Sequence, residues 1–338
     1  MKINTKNIDS VYYLDELNRF KDNWFSEDPI IKVQTSGSTG DPKTISLSKE
    51  HMKSSALATL SYLKINPGSK ALLCLPISKI GGIMMFVRAV VADLDLWVIS
   101  PSSSPLEHVE AKECFDFCAM VPLQISNSLN DLDRAGKIIA GGGPLSLELI
   151  EQIKATKSTL WHSYGMTETI SHIALRQISP KLSPSFEILR GVYLEVNKQN
   201  CLKIDAPNIG VKNLQTNDIV ELISERRFLW KGRLDNVVLS GGLKFYPEDL
   251  EQKINLEQNF ILAGVDNAIL GQQLILIVES KTMLSESNLE KCLKNLARLE
   301  KPKEVRYLDC FVYTPNGKIK RKETLRKTVS LRPNKSDT

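Results

Sequence analysis

Between residues 35 and 43 the chain reads Thr35-Ser36-Gly37-Ser38-Thr39-Gly40-Asp41-Pro42-Lys43, with apolar Ile31 and Val33 before it and Ile45 and Leu47 after. Gly37 and Gly40 can take backbone dihedrals closed to other residues, so successive N–H groups can converge on an anion as a nest. Ser36, Ser38 and Thr39 add hydroxyl donors, and Lys43 adds a point charge. The chemistry these types suit is phosphate cradling, on a turn between two strands. A Walker A loop is excluded, because its lysine directly follows the second glycine, whereas Asp41-Pro42 intervenes here. A ligand-free polar hairpin uses the same residue types, so the rest of the chain has to decide.

Four further stretches follow in order: Tyr164-Gly165-Met166-Thr167-Glu168-Thr169, then Thr216-Asn217-Asp218, then Gly232-Arg233-Leu234-Asp235 running into Ser240-Gly241-Gly242, and finally Pro315-Asn316-Gly317-Lys318. With the glycine-rich turn they span nearly the whole chain, and in this order they resemble the acyl-adenylating superfamily of acyl-CoA synthetases, peptide-synthetase adenylation domains and luciferases. The resemblance implies a two-step, AMP-forming acid–thiol ligase that uses ATP, Mg²⁺ and CoA. It implies that Thr35, Ser36, Gly37, Ser38, Thr39, Gly40 and Lys43 hold phosphate, that Glu168 is a Mg²⁺ ligand and that Thr167 donates to the α-phosphate. Tyr164 would stack on adenine with Gly141 and Gly142 opposite, and Asp218 and Arg233 would hold the ribose hydroxyls. Lys318 would bridge carboxylate and α-phosphate during adenylation. Asp235 would be the hinge on which a small domain swings, presenting Gly241, Gly242 and Lys244 for thioester formation. Asn217 departs from the family's usual glycine, and tolerance of left-handed dihedrals by Asn is expected to preserve that turn.

The elements that must position these residues are partly legible. Residues 11–25 carry Val11, Leu14, Leu17, Phe20 and Trp24 near helical spacing. Ser48 is placed to cap a helix running to residue 63. Short apolar runs at residues 72–76, 97–99, 115–121, 137–140 and 159–162 read as strands, and residues 83–91, a segment from Leu106, and residues 146–154 as helices. That alternation predicts an α/β fold with a predominantly parallel sheet. A triple glycine, Gly141-Gly142-Gly143, ends one strand, where a flat ligand can lie against backbone. From residue 172 short alternating runs with a turn at Gln199-Asn200 predict an antiparallel β subdomain to about 234. Residues 235–330 predict a small mobile α+β domain, with helices at 247–254 and 287–299 and strands at 274–278 and 305–308; residues 331–338 read as a polar tail. The expected organisation is therefore an AMP-binding domain over 1–234 and a lid domain over 235–330.

At 338 residues, with 42% hydrophobic and 25% charged residues, the chain has the composition of a two-domain globular protein. A net charge of +5, much of it in the basic C-terminal end, is too modest to point to nucleic acid. The start of the chain is polar and no early apolar run reaches membrane-spanning length, so a cytoplasmic protein without membrane insertion is expected. Six cysteines without a Cys-x-x-Cys pair read as small buried hydrophobes. The oligomeric state stays open, a homodimer included.

Two departures bear on the acid. The glycine-rich turn starts at residue 35, so much of the family's usual N-terminal region is expected to be absent. Lys79 stands where the family often has histidine, and Arg88 follows nine residues later. Two cations near an acyl pocket suit an acid with a second carboxylate, because an ionised group entering an apolar pocket needs a charged partner. Ligation of another aromatic or aliphatic acid, loading of a carrier protein, and a catalytically silent nucleotide-binding homologue are the alternatives. Joint retention of Glu168 and Lys318 argues against the last.

Overall fold

The computed structural model describes residues 1–34, 43–314 and 318–330. In chain order its first half comprises β1 (Lys2–Asn7), α1 (Val11–Phe25), β2 (Ile30–Gln34), β3 (Thr44–Ser48), α2 (Lys49–Leu63), β4 (Lys70–Leu73), α3 (Ile80–Val91), β5 (Asp95–Ile99), β6 (Phe115–Met120), α4 (Pro122–Asn127), β7 (Ala135–Ala140), α5 (Leu147–Lys154) and β8 (Thr159–Gly165). Antiparallel strands follow: β9 (His172–Ser179), β10 (Phe186–Ile188), β11 (Tyr193–Val196), β12 (Cys201–Ala206), β13 (Val211–Ser224) and β14 (Arg227–Arg233). The last third holds β15 (Val238–Ser240), β16 (Leu243–Phe245), α6 (Pro247–Glu251), β17 (Phe260–Asn267), β18 (Gly271–Glu279), α7 (Glu286–Cys292), β19 (Glu304–Leu308) and α8 (Arg321–Ser330).

The described residues build one 12-stranded sheet in the order β1-β5-β4-β6-β7-β8-β9-β10-β14-β13-β12-β11. Neighbours from β1 to β8 run parallel, and β8 against β9 is the switch to antiparallel pairing. The inner parallel strands β4 and β6 are apolar on both faces, as a sheet covered on both sides requires. Ala71, Leu73, Phe117 and Ala119 join a core with α1, α2 and α3, whereas Leu72, Cys74, Cys118 and Met120 join a second core with α5. The α/β class follows from that alternation. The antiparallel strands extend the same sheet rather than forming a layer of their own. A separate five-stranded sheet, β16-β15-β18-β17 with β19 parallel to β18, carries the last third of the chain around its own apolar clusters.

Local chemistry explains where the elements begin and where expectations needed correcting. Ser10 caps α1 by accepting from the Tyr13 N–H, while Ser48 occupies the cap position of α2 without a side-chain cap bond. Helix α3 starts at Ile80, so Gly81 and Gly82 lie inside its first turn, and a Cβ on Gly82 would stand 2.2 Å from the Pro76 carbonyl oxygen. Glycine lets the helix close directly onto the end of the preceding strand. The helix expected from Leu106 is only a 3-10 turn, Pro105–His108. Arg134 donates to the carbonyls of Leu106, Val109, Glu110 and Glu113, holding this segment as a loop. Helices α6 and α7 are shorter than expected because i,i+3 bonds tighten into turns after Glu251 and Cys292. Strands β1 and β17 and helices α4 and α8 were not foreseen from the sequence. Cys74, Cys118 and Cys201 are buried as expected, but Cys114 and Cys310 are exposed. No helix among the described residues is long and apolar enough to cross a membrane.

Candidate nucleotide and acid site

The glycine-rich turn is carried by an antiparallel hairpin, β2 with β3, whose last described pair is Gln34 with Thr44. Thr35, Ser36, Gly37, Ser38, Thr39 and Gly40 lie outside the described residues; Lys43 is exposed just beyond them. The triple glycine follows β7. Gly141 donates to the Met120 carbonyl at 3.0 Å, and a Cβ added there would meet Ser163 Oγ at 2.9 Å. Gly142 has φ +86°, so a backbone free of side chains forms this wall. His162 on β8 faces it, with Nε2 3.1 Å from the Gly143 carbonyl oxygen. Burial, then the Arg176 charge, pushes the His162 imidazole down to about 4, so the ring is neutral at physiological pH.

Two residues beyond His162, the Tyr164 ring meets Phe186 and Phe228 edge-on, with centroids 5.9 and 5.2 Å away. Its hydroxyl donates to Asp218 Oδ2 at 2.8 Å. Asp218 is buried and is also met by Trp230 Nε1 at 3.2 Å and Arg233 Nη1 at 3.8 Å. Pairing of Asp218 with Arg233 across β13 and β14 is what brings carboxylate and guanidinium together. Burial, and next the Asp218 charge, holds the Tyr164 phenol well above its ordinary range, so it stays a donor. The Thr216 hydroxyl receives the Asp218 N–H and donates to the Leu202 carbonyl, fixing the β13 backbone at this position. Asn217 is a residue of β13 without positive φ, so the left-handed tolerance expected of it is not used. Its amide instead reaches Asp235 Oδ2 at 3.4 Å, as does Arg233 Nη2 at 3.3 Å. Asp235 sits in the 3-10 turn Leu234–Asn236 that links the large sheet to the small one.

Lys318 comes from the other sheet's side. Its N–H is held by Thr314 Oγ1 at 3.0 Å, and its carbonyl accepts from the Thr314 N–H at 2.8 Å. Although the side chain is exposed by area, burial by surrounding protein, and then the Arg233 charge, keeps its ammonium below the ordinary lysine range. Thr167 and exposed Glu168 occupy the 3-10 turn Thr167–Thr169. Thr169 is fully buried, and its hydroxyl clamps the turn, accepting from the Met166 N–H at 3.0 Å and lying 2.7 Å from the Ser171 carbonyl oxygen, to which it donates. Ile170 follows at φ +66°, which for a β-branched residue is a strained conformation of the kind found at functional sites.

Of the two cations expected near an acid, the structure buries one. Arg88 on α3 is 2% exposed, donates to Ser171 Oγ at 3.1 Å and has an Nε without a partner. Among the described residues it pairs with no carboxylate, and burial pulls its guanidinium down to about 9. His172 beside it is neutral, held well below its usual range by burial and then by Arg88, and contacts Thr59 Oγ1 at 3.0 Å. Lys79 is exposed at the cap position of the same helix. Nine residues are two and a half turns, roughly 13 Å along the axis and on the opposite side, so Lys79 and Arg88 do not converge. Gly241 and Gly242, with φ +56° and +80°, turn β15 into β16, and Lys244 is exposed on β16.

Residues 7–194 match the profile of the AMP-binding enzyme family. The chain belongs to this family. It is 33% identical to an AMP-forming acyl-CoA synthetase/AMP-acid ligase II-like protein of Dyadobacter fermentans, with 94% of each chain covered and a TM-score of 0.64. The fold matches o-succinylbenzoate CoA synthetase of Bacillus subtilis in complex with its acyl-adenylate at a TM-score of 0.76, 21% identity and coverage of 91% of this chain and 70% of that one. By sequence it is 27% identical to the 2-succinylbenzoate–CoA ligase of Salmonella typhimurium, over 88% of this chain and 68% of the relative.

Several residues packed around this AMP-binding enzyme's candidate site were not read from the sequence: Trp230 on Asp218, Thr169 and Ile170 in the acidic turn, Ser171 on Arg88, and His162 on the Gly143 carbonyl. Strand alternation placed Trp230 and His162 in β-structure, but their partners come from other strands. Thr169 had a nearer signal, as the hydroxyl that ends the Thr167-Glu168-Thr169 run.

Proposed function

We propose that this AMP-forming acid–CoA ligase activates 2-succinylbenzoate, a step of menaquinone biosynthesis, by making the acyl-adenylate and passing the acyl group to CoA. The observation that carries the substrate is Arg88: a buried guanidinium with one orphaned N–H and no carboxylate partner among the described residues. An unpaired buried charge is costly, and an aromatic carboxylate delivered by the substrate offsets that cost through the guanidinium fork. The succinyl carboxylate is then the one left to attack the α-phosphate. Relatives named 2-succinylbenzoate–CoA ligase support the same reading.

In this reading Asp218 and Arg233 hold the ribose, Tyr164 and residues 141–142 flank adenine, and the hairpin before Lys43 cradles phosphate. Lys318 draws the two anions together, lowering the repulsion that otherwise opposes in-line attack. The described residues offer no cluster of three or more metal-binding side chains. One exposed carboxylate, Glu168, with the Thr167 hydroxyl beside it, fits Mg²⁺, which takes few protein carboxylates and completes its shell with phosphate and water. Bound there, Mg²⁺ supplies charge neutralisation at the phosphates.

Two loops on the small sheet support a two-orientation cycle about Asp235. The segment leading to Lys318 is tied to the end of β18, where Glu279 accepts from the Phe311 N–H and the Tyr313 hydroxyl. The Gly241-Gly242 turn is tied to its start, where Ser240 pairs with Gly271 and the Gly241 N–H reaches the Leu270 carbonyl. Those ends are eight residues apart, roughly 26 Å along a strand. One site cannot receive both loops unless the small unit turns.

Arg88→Ala tests the substrate. Pyrophosphate release with 2-succinylbenzoate should fall by roughly thirty-fold to several thousand-fold in kcat/KM, the range for truncating one partner of a buried charge pair. With 4-oxo-4-phenylbutanoate, which lacks the aromatic carboxylate, the loss should be small. Equal losses on both acids, or a wild type that prefers the analogue, would remove this substrate assignment.

A further inference from the structure

We propose that His162 and Arg176 are positioning residues for the nucleotide: together they tether the Gly143 carbonyl and so keep the glycine wall of residues 141–143 in the shape that accepts ATP. The inference rests on reading that wall as one side of the nucleotide pocket. Three consecutive glycines have more backbone freedom than any other tripeptide, and a wall of them is a poor surface for a rigid base unless both ends are tied. One end is tied by backbone, Gly141 N–H to the Met120 carbonyl at 3.0 Å. The other end is tied by a side chain, His162 Nε2 at 3.1 Å from the Gly143 oxygen.

That second tie works only if the imidazole proton is on Nε2, and the register of the sheet decides this. His162 and Arg176 are directly paired across β8 and β9. Arg176 Nη2 stands 3.4 Å from His162 Nδ1. A guanidinium has only donors, so Nδ1 must accept, which leaves the single proton of the neutral ring on Nε2 to be donated to Gly143. Arg176 is braced in turn, its guanidinium 5.3 Å from the Phe186 ring centroid, and Phe186 stacks on Phe228 at 5.4 Å. The same two phenylalanines meet Tyr164 edge-on. One aromatic cluster thus sets both the tethering pair and the Tyr164 ring.

The test is direct titration of ATP onto His162→Phe, His162→Gln and Arg176→Met, with no acid present, alongside KM for ATP, acid and CoA. Loss of the tether should weaken ATP about tenfold in His162→Phe, the order expected for one buried hydrogen bond. Glutamine places an N–H donor near the Nε2 position, so His162→Gln should recover to within about threefold of wild type. Arg176→Met, which frees the tautomer without removing the ring, should lie between them. KM for acid and CoA and kcat should stay within about twofold in all three, which separates tethering from general loosening of the fold. ATP affinity in His162→Phe equal to wild type overturns the inference, as does His162→Gln failing as badly as His162→Phe. Wild type that binds no ATP would instead sink the nucleotide pocket itself, and this inference with it.

Discussion

The Asp218 region and the Arg88 region treat charge in opposite ways. Around Asp218 each oxygen of the buried carboxylate is engaged, by Tyr164, Trp230 and the nearby Arg233 guanidinium, and Arg233 also reaches Asp235. Around Arg88 a guanidinium just as buried has one serine hydroxyl, a neutral histidine nearby and an orphaned Nε. Among the described residues the first region is complete and pre-organised, whereas the second holds no anion. A polar network whose members satisfy one another rigidifies a site, whereas a buried charge left over is a standing cost that a ligand of opposite charge can relieve. Lys318 resembles the second region in one respect, pairing with no carboxylate among the described residues, although it is exposed.

The comparison can be broken most forcefully at Lys318. Lys318→Ala should lower acid-dependent pyrophosphate release by about 10²–10³-fold, the scale of losing one transition-state charge contact. Conversion of supplied acyl-adenylate and CoA should persist, because in the proposed two-orientation cycle that step uses the other end of the small sheet. Parallel loss of both half-reactions would mean Lys318 acts on the fold rather than on an anion.

A smaller and opposed pair of effects should appear in stability without any ligand. Asp218→Ala leaves Arg233, Trp230 and Tyr164 short of a partner and should lower unfolding free energy by about 2–4 kcal/mol. Arg88→Met removes an uncompensated charge and should leave stability unchanged or raise it by about 1 kcal/mol, while abolishing discrimination between the two acids. Denaturant titration of both variants checks this, and a strongly destabilised Arg88→Met would show that Arg88 is paired after all.

The smallest effect is a pH slope. His162 is held near 4 and His172 well below its usual range, against about 6.5 in an unfolded chain. Above about 6.5 both states are neutral at these rings and the slope is flat. As pH falls below that value the unfolded chain takes up protons the folded one refuses, so stability declines progressively toward pH 4, by at most about 2 kcal/mol per histidine at pH 5. Chemical denaturation from pH 8 to 5 should show the decline, and His162→Gln should flatten part of it. An unchanged slope in that variant would mean His162 does not stay neutral in the fold.

What the sequence determined by itself was local. Apolar spacing placed α1 at residues 11–25 and α2 up to residue 63, and the run of short apolar segments placed the parallel strands β4 to β8 but not β1, because periodicity and capping depend on residues within a turn or two. The order of the five short motifs carried the resemblance to the acyl-adenylating superfamily, and it is that resemblance which implies the chemistry. What tertiary structure alone decided was partnership. That Arg88 is buried without a counter-charge among the described residues while Lys79 at the cap of the same helix is exposed depends on packing α3 against the sheet and on a serine 83 residues away. That Asp218 is met by Trp230 and Tyr164, and that His162 holds Gly143 through a proton positioned by Arg176, depends on strand register. Whether a buried charge or donor is satisfied is set by what lies opposite in space, and spacing along one chain carries no record of it.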